Sequence, residues 1–79
     1  MRHLSRRLSG QALAALGISP REYEVLAMLA DGAPNKIIAR RLTISPNTVK
    51  THLAHLFEKL EARSCTQAIS QARRLDLLP

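Results

Sequence analysis

Leu42 and Pro46 bracket a link of about three residues, Thr43-Ile44-Ser45, between two segments that both carry helical periodicity. So short a link leaves room only for a sharp corner. Before it, over 35–42, Ile38, Ala39 and Leu42 share one face, with Lys36 and Arg40 turned away from it. After it, Val49, Leu53, Leu56 and Leu60 step by 4, 3 and 4 and are joined by Phe57, which predicts a buried seam over 45–60. Ser45-Pro46 supplies a capping hydroxyl followed by proline at the first helical position. At 1.5 Å per residue this helix spans roughly 22 Å. Ala39 is small where the two helices must approach closely, and Ile38, Leu42, Ile44 and Val49 can pin the corner from inside. The spacing is that of a helix-turn-helix, with the later helix in the recognition position.

Two further helices flank this pair. Ser19-Pro20-Arg21-Glu22 reads as a capping box, and the helix it starts runs to about Asp31 before Gly32. Its stripe is Tyr23, Leu26, Ala27 and Ala30, widened by Val25 and Leu29. Ser64-Cys65-Thr66-Gln67 opens another helix, expected to reach about Leu77 with Ala68, Ile69, Ala72 and Leu75 on its apolar side. No segment alternates like a strand. The expectation is an all-α, compact four-helix domain over 18–79 with a central helix-turn-helix. Residues 1–17 precede it as a basic leader or linker. Met1-Arg2-His3-Leu4-Ser5-Arg6-Arg7 ahead of a weakly apolar stretch also has the outline of a targeting peptide, but Gly10 and Gln11 break the run.

With 79 residues there is room for one small domain. Its aromatics are Tyr23 and Phe57, so the core is aliphatic and the base-stacking sheets of single-strand binders are disfavoured. Cys65 is the single cysteine, which excludes an internal disulfide and a cysteine-rich zinc site. A net charge of +6 points to a polyanionic partner. The charge is placed tellingly: no acidic residue occurs from Gly32 to Phe57, a window that holds Lys36, Arg40, Arg41 and Lys50.

Subtracting the seam from the recognition helix leaves Asn47, Lys50, Thr51, Ala54 and Glu58 facing outward. Asn can pair with adenine, Lys can donate to guanine, and Thr and Ala methyl groups can meet the thymine methyl. Asn47, Lys50, Thr51 and Ala54 are therefore the expected base-contacting residues, with those near the helix N-terminus reaching deepest. Asn35, Lys36, Arg40, Ser45, Thr48, His55 and Lys59 are the expected phosphate contacts, although helix-dipole compensation alone could explain Lys59.

Several ordered motifs resemble the LuxR/GerE-type DNA-binding domain. Ser19-Pro20-Arg21-Glu22-Tyr23-Glu24-Val25-Leu26 is similar to its first-helix signature. Gly32-Ala33-Pro34-Asn35-Lys36 with Ile38-Ala39 resembles the start of its second helix, and Thr48-Val49-Lys50-Thr51-His52 its recognition-helix motif. Lys59-Leu60 and Ser64-Cys65-Thr66-Gln67-Ala68 resemble its closing segment. The final Ala-Arg-Arg-Leu-Asp-Leu-Leu resembles the MalT-like branch. The resemblance covers Ile18 to about Leu78. It implies a bacterial transcription regulator domain that reads double-stranded DNA in the major groove, acts in the cytoplasm at the nucleoid, pairs as a homodimer through helix 64–77 and contacts RNA polymerase. It also assigns base contact to Lys50, Thr51 and Ala54.

The departures are specific. Ala54 stands where some members carry a basic residue. Glu61 stands where glycine commonly ends the recognition helix, so a left-handed turn there would be strained or absent. Pro34 replaces a capping serine, Ile37 an acidic residue and Cys65 an arginine.

Other chemistries are poorly supported. His52 and His55 lie i, i+3 on one helix, with only Glu58 nearby as a third metal ligand. No nucleophile elbow, phosphate loop or zinc-protease motif is present, so the chain reads as a non-enzyme with no metal and no cofactor. No apolar run approaches the roughly 18 residues needed to cross a bilayer, and no membrane partner is expected. The competing reading is a protein-interaction module that keeps the helix-turn-helix shape. A second is an interfacial membrane binder acting through the basic leader.

Overall fold

A computed structural model of the chain describes residues 13–78. Four helices follow a helical turn over residues 13–16: α1 (Pro20–Ala30), α2 (Asn35–Leu42), α3 (Pro46–Lys59) and α4 (Cys65–Arg74). The described residues contain no strand. Most of the expected leader, residues 1–12, lies outside the described residues. Its last part does not behave as a leader: Leu13 and Leu16 pack against the core, so the packed unit begins before Ile18.

Helices α1, α3 and α4 each start where a serine hydroxyl replaces a missing backbone partner. Ser19 Oγ accepts from the Glu22 N–H at 3.1 Å, and Glu22 Oε1 accepts from the Ser19 N–H at 2.9 Å, completing the box. Ser45 Oγ caps α3 through the Thr48 N–H at 3.1 Å. Ser64 Oγ caps α4 through the Gln67 N–H at 3.2 Å, but Gln67 Oε1 accepts from the Arg63 N–H rather than from that of Ser64. Helix α2 has no side-chain cap, as the proline at position 34 requires.

The helix ends share one device. Gly17, Gly32, Thr43, Glu61 and Asp76 all take positive φ, between 53° and 87°. Each is followed by a residue whose N–H reaches back five positions: Ile18 to Leu13, Ala33 to Met28, Ile44 to Ala39, Ala62 to Phe57 and Leu77 to Ala72, at 2.8–3.0 Å. This Schellman pattern satisfies terminal carbonyls and turns an apolar residue inward. Glycine fits the first two positions freely. The turn at Glu61 is present despite its side chain, and Thr43 is β-branched, so both hold a conformation costing about 1–2 kcal/mol.

Asp76 in the left-handed region stops α4 at Arg74, short of the expected Leu77. Leu75 consequently lies outside the apolar stripe and is 38% exposed, while Leu77 and Leu78 fold under the bundle and are buried. The remaining core is as the periodicities require: Val25, Leu26, Ile38, Ala39, Val49, Leu53, Leu56, Leu60, Ala68 and Ala72 are buried. Helix α3 packs on α1, α2 and α4, so its seam is the centre of the domain. On α1 the stripe is rotated towards Val25, and Tyr23, Ala27 and Ala30 are only partly covered.

Candidate nucleic-acid interface

The corner between α2 and α3 is held from inside by buried Ile38, Ala39 and Val49 and by partly buried Leu42 and Ile44. This leaves the opposite side of α3 uncovered. Asn47, Lys50, Thr51, Ala54 and Glu58 are all exposed, while Val49, Leu53, Leu56 and Leu60 of the seam are buried. Asn47, Lys50, Thr51 and Ala54 thus share one open face near the N-terminal half of the helix. His52 is partly buried beside the seam.

At the start of α3 the Ser45 and Thr48 hydroxyls hydrogen-bond each other at 2.9 Å. Together with the Ser45 cap, they fix the first turn of α3. The Thr51 hydroxyl donates to the Asn47 carbonyl at 3.1 Å, one turn earlier on the same helix. On α2, Lys36, Arg40 and Arg41 are exposed and Asn35 is partly buried. Arg41 was not among the expected phosphate contacts, although the acid-free window that contains it carried the signal.

Lys59 requires a correction. Its ammonium is not turned outward for phosphate but donates to Glu22 Oε1 at 2.7 Å and to the Gly17 carbonyl at 2.6 Å. The physical reason is Glu22, whose side chain is only 6% exposed and needs a cation beside it. Burial pushes the Glu22 carboxyl up. The Lys59 hydrogen bond and charge, with the Ser19 bonds, outweigh this and hold it below its ordinary value. His55 Nδ1 stands 3.5 Å from Glu22 Oε2, so this exposed ring lies beside the same carboxylate. Glu22 therefore does more than cap α1. It ties the C-terminal half of α3 to α1, and Lys59 carries the link on to the turn at Gly17.

Among the described residues, no group of three His, Cys, Asp or Glu side chains is placed to hold a metal ion. No described helix is long and apolar enough to cross a membrane. Cys65 is exposed at the first position of α4.

Comparison with known proteins agrees with this geometry. Residues 17–72 match the GerE family model, described as bacterial regulatory proteins, luxR family. The chain is 45% identical over 51 residues to the nitrate/nitrite response regulator protein NarL of Escherichia coli K12, covering 65% of this chain and 24% of that protein. It is 53% identical over 55 residues to the CsgBAC operon transcriptional regulatory protein of the same organism, covering 70% and 26% respectively. It is 44% identical over 54 residues to the monoamine regulon transcriptional regulator of Klebsiella aerogenes, covering 68% and 24%. The matched stretch is thus about a quarter of each relative's length. No solved structure matches the chain.

Proposed function

Because the chain belongs to the LuxR family of bacterial regulatory proteins, we propose that it binds double-stranded DNA sequence-specifically as part of a bacterial transcription regulator. The observation that carries this reading is the open face of α3. Asn47, Lys50, Thr51 and Ala54 lie exposed on a helix whose other side is locked into the core, beside the exposed cations of α2. A helix of this diameter fits the major groove, and its N-terminal half reaches base edges first.

In this reading Lys50 donates to a base, and Asn47 pairs with an adenine or with the sugar-phosphate edge. Lys36, Arg40 and Arg41 grip phosphates on one side of the groove, with Asn35 next to them. Of the Ser45 and Thr48 hydroxyls, which hydrogen-bond each other, one keeps a proton to donate to a phosphate oxygen at the N-terminus of α3, where the helix dipole also favours an anion. His55 adds a weaker contact, in competition with Glu22. Lys59 acts indirectly by holding α3 in place. The exposed face of α4 offers a surface for pairing two copies, which would make the operator two-fold related. Contact with RNA polymerase and action in the cytoplasm, at the nucleoid, complete the proposal.

Fluorescence anisotropy with a random-sequence duplex tests the reading, at about 50 and 200 mM salt. Lys36, Arg40 and Arg41 are three phosphate-neutralising cations, so one bound copy should lose affinity by about fortyfold between those points. Weak binding that ignores salt would refute it and favour a module that docks on another protein.

A further inference from the structure

His55 stands at the edge of the open face of α3, beside the buried carboxylate that anchors this helix. Its side chain is 58% exposed, and its Nδ1 lies 3.5 Å from Glu22 Oε2. The other oxygen of that carboxylate is occupied: Glu22 Oε1 accepts from the Ser19 N–H at 2.9 Å and from the Lys59 ammonium at 2.7 Å. Burial pushes this carboxyl up, but the Lys59 and Ser19 bonds outweigh it and hold it below its ordinary value. Glu22 is therefore an anion throughout the range in which histidine changes charge. The charged groups around the ring are few. Glu22 faces it from α1. On α3 itself, exposed Glu58 and partly buried Lys59 lie about one turn on, with Lys59 turned to the same carboxylate. Helices α2 and α4 contain no acidic residue; their charged groups are Lys36, Arg40 and Arg41, and Arg73 and Arg74.

A neutral imidazole carries one N–H, and its other nitrogen is a lone pair. Turned to Glu22, that proton leaves Nε2 with nothing to donate to an arriving phosphate. Turned to the phosphate, it leaves a lone pair against a carboxylate. The neutral ring must choose between the two anions. The imidazolium has an N–H on each nitrogen and can serve both. Resting on the DNA-binding reading above, we infer that His55 takes up a proton from solvent when the chain docks on a duplex, and then bridges a backbone phosphate, through Nε2, to Glu22, through Nδ1. Duplex binding by this chain is thus proton-linked, and its grip tightens as pH falls.

The test uses the full chain and a duplex selected from a random pool. Affinity, measured by anisotropy at one fixed salt concentration, should rise about three- to fivefold from about pH 8 to about pH 6, the worth of one exposed charge pair. Most of that rise should be lost in His55→Gln, which retains His52 and His3 and so subtracts their share. Over the same change the slope of log affinity against log salt should steepen by about 0.9 in the parent alone, one further phosphate being neutralised. Calorimetry near neutral pH, in two buffers of different ionisation enthalpy, counts the proton directly, and the uptake seen in the parent should be lost in His55→Gln. Glu22→Gln removes the second anion and should reduce the uptake as well. Circular dichroism shows whether that variant is folded, and the His55→Gln comparison stands in either case. An equal pH response and equal proton uptake in the parent and His55→Gln would overturn the bridge while DNA binding stands. Full uptake in a folded Glu22→Gln would overturn the part given to the carboxylate. If no duplex is bound at either pH, the DNA-binding reading itself fails and takes the bridge with it.

Discussion

Replacing Lys59 by methionine removes a cation from a carboxylate that cannot reach water easily. Glu22 is 6% exposed at its side chain and Lys59 is 29% exposed, with 2.7 Å between the charged atoms. Breaking a fully buried pair by removing one partner costs about 3–5 kcal/mol. Lys59 sits at the rim, so water can partly take its place, and Glu22 keeps its bond from the Ser19 N–H. The expected loss is about 2–3 kcal/mol near neutral pH. The pH dependence sharpens the claim. The Glu22 carboxyl titrates below its ordinary 4.5 in the folded chain. Its contribution is therefore fully present above that value and is lost as pH falls through the lower, folded one. In the variant, burial dominates and pushes the carboxyl up, so acid no longer destabilises through this group. The gap between parent and variant should be widest at neutral pH and should nearly close once Glu22 is protonated in both. Urea unfolding followed by circular dichroism, at neutral pH and then at successively lower pH until the parent's stability stops responding to this carboxyl, measures both limits. A loss below about 0.5 kcal/mol at neutral pH, or an equal loss at both, would refute the claim that Lys59 exists to neutralise a buried charge.

Other substitutions test separate parts of the structure. Leu56→Ala opens a cavity under the recognition helix and should cost about 2–5 kcal/mol, enough to leave a domain of this size largely unfolded by calorimetry. Glu61→Gly relieves the left-handed residue after α3 and should stabilise by about 0.5–1 kcal/mol, once the extra freedom of glycine in the unfolded chain is subtracted, as a rise in the urea midpoint. Ser45→Ala removes the α3 cap and should cost about 1 kcal/mol in the same assay, with weaker DNA binding if the first turn frays. Lys50→Ala should cost about 1–3 kcal/mol of affinity for a selected duplex and much less for a random one. An equal loss on both would make Lys50 a phosphate contact.

Local chemistry made much of this domain legible in its sequence. Ser-Pro pairs mark the starts of α1 and α3, and the step of Val49, Leu53, Leu56 and Leu60 marks the seam. The outward face then followed by subtraction. Two features resisted the same reading. The end of α4 carries no glycine, and Leu75 continues the apolar spacing of Ala68 and Ala72. Nothing local announces that Asp76 takes a left-handed conformation and that Leu77 folds inward. Lys59 resisted for a different reason: its partners lie 37 and 42 residues earlier in the chain. Its position near the C-terminus of a helix was compatible with a solvated or phosphate-facing ammonium. Only the folded arrangement brings it to Glu22, whose place in a capping box had already given that carboxylate a sufficient local explanation.

The residues that set the angle between α2 and α3 are separate from those on the open face of α3. Ile38, Ala39 and Val49 are buried, and the left-handed corner at Thr43 is closed by backbone bonds. Asn47, Lys50, Thr51 and Ala54 contribute no side chain to that corner. Exposed substitutions away from caps and buried groups usually change stability by less than about 0.5 kcal/mol. These four positions can therefore be rewritten together with little thermodynamic penalty, and the frame would present the new residues at the same angle. Such a frame allows descendants of one ancestral domain to diverge in target while retaining a common scaffold, and it makes these positions the natural ones to randomise in a library.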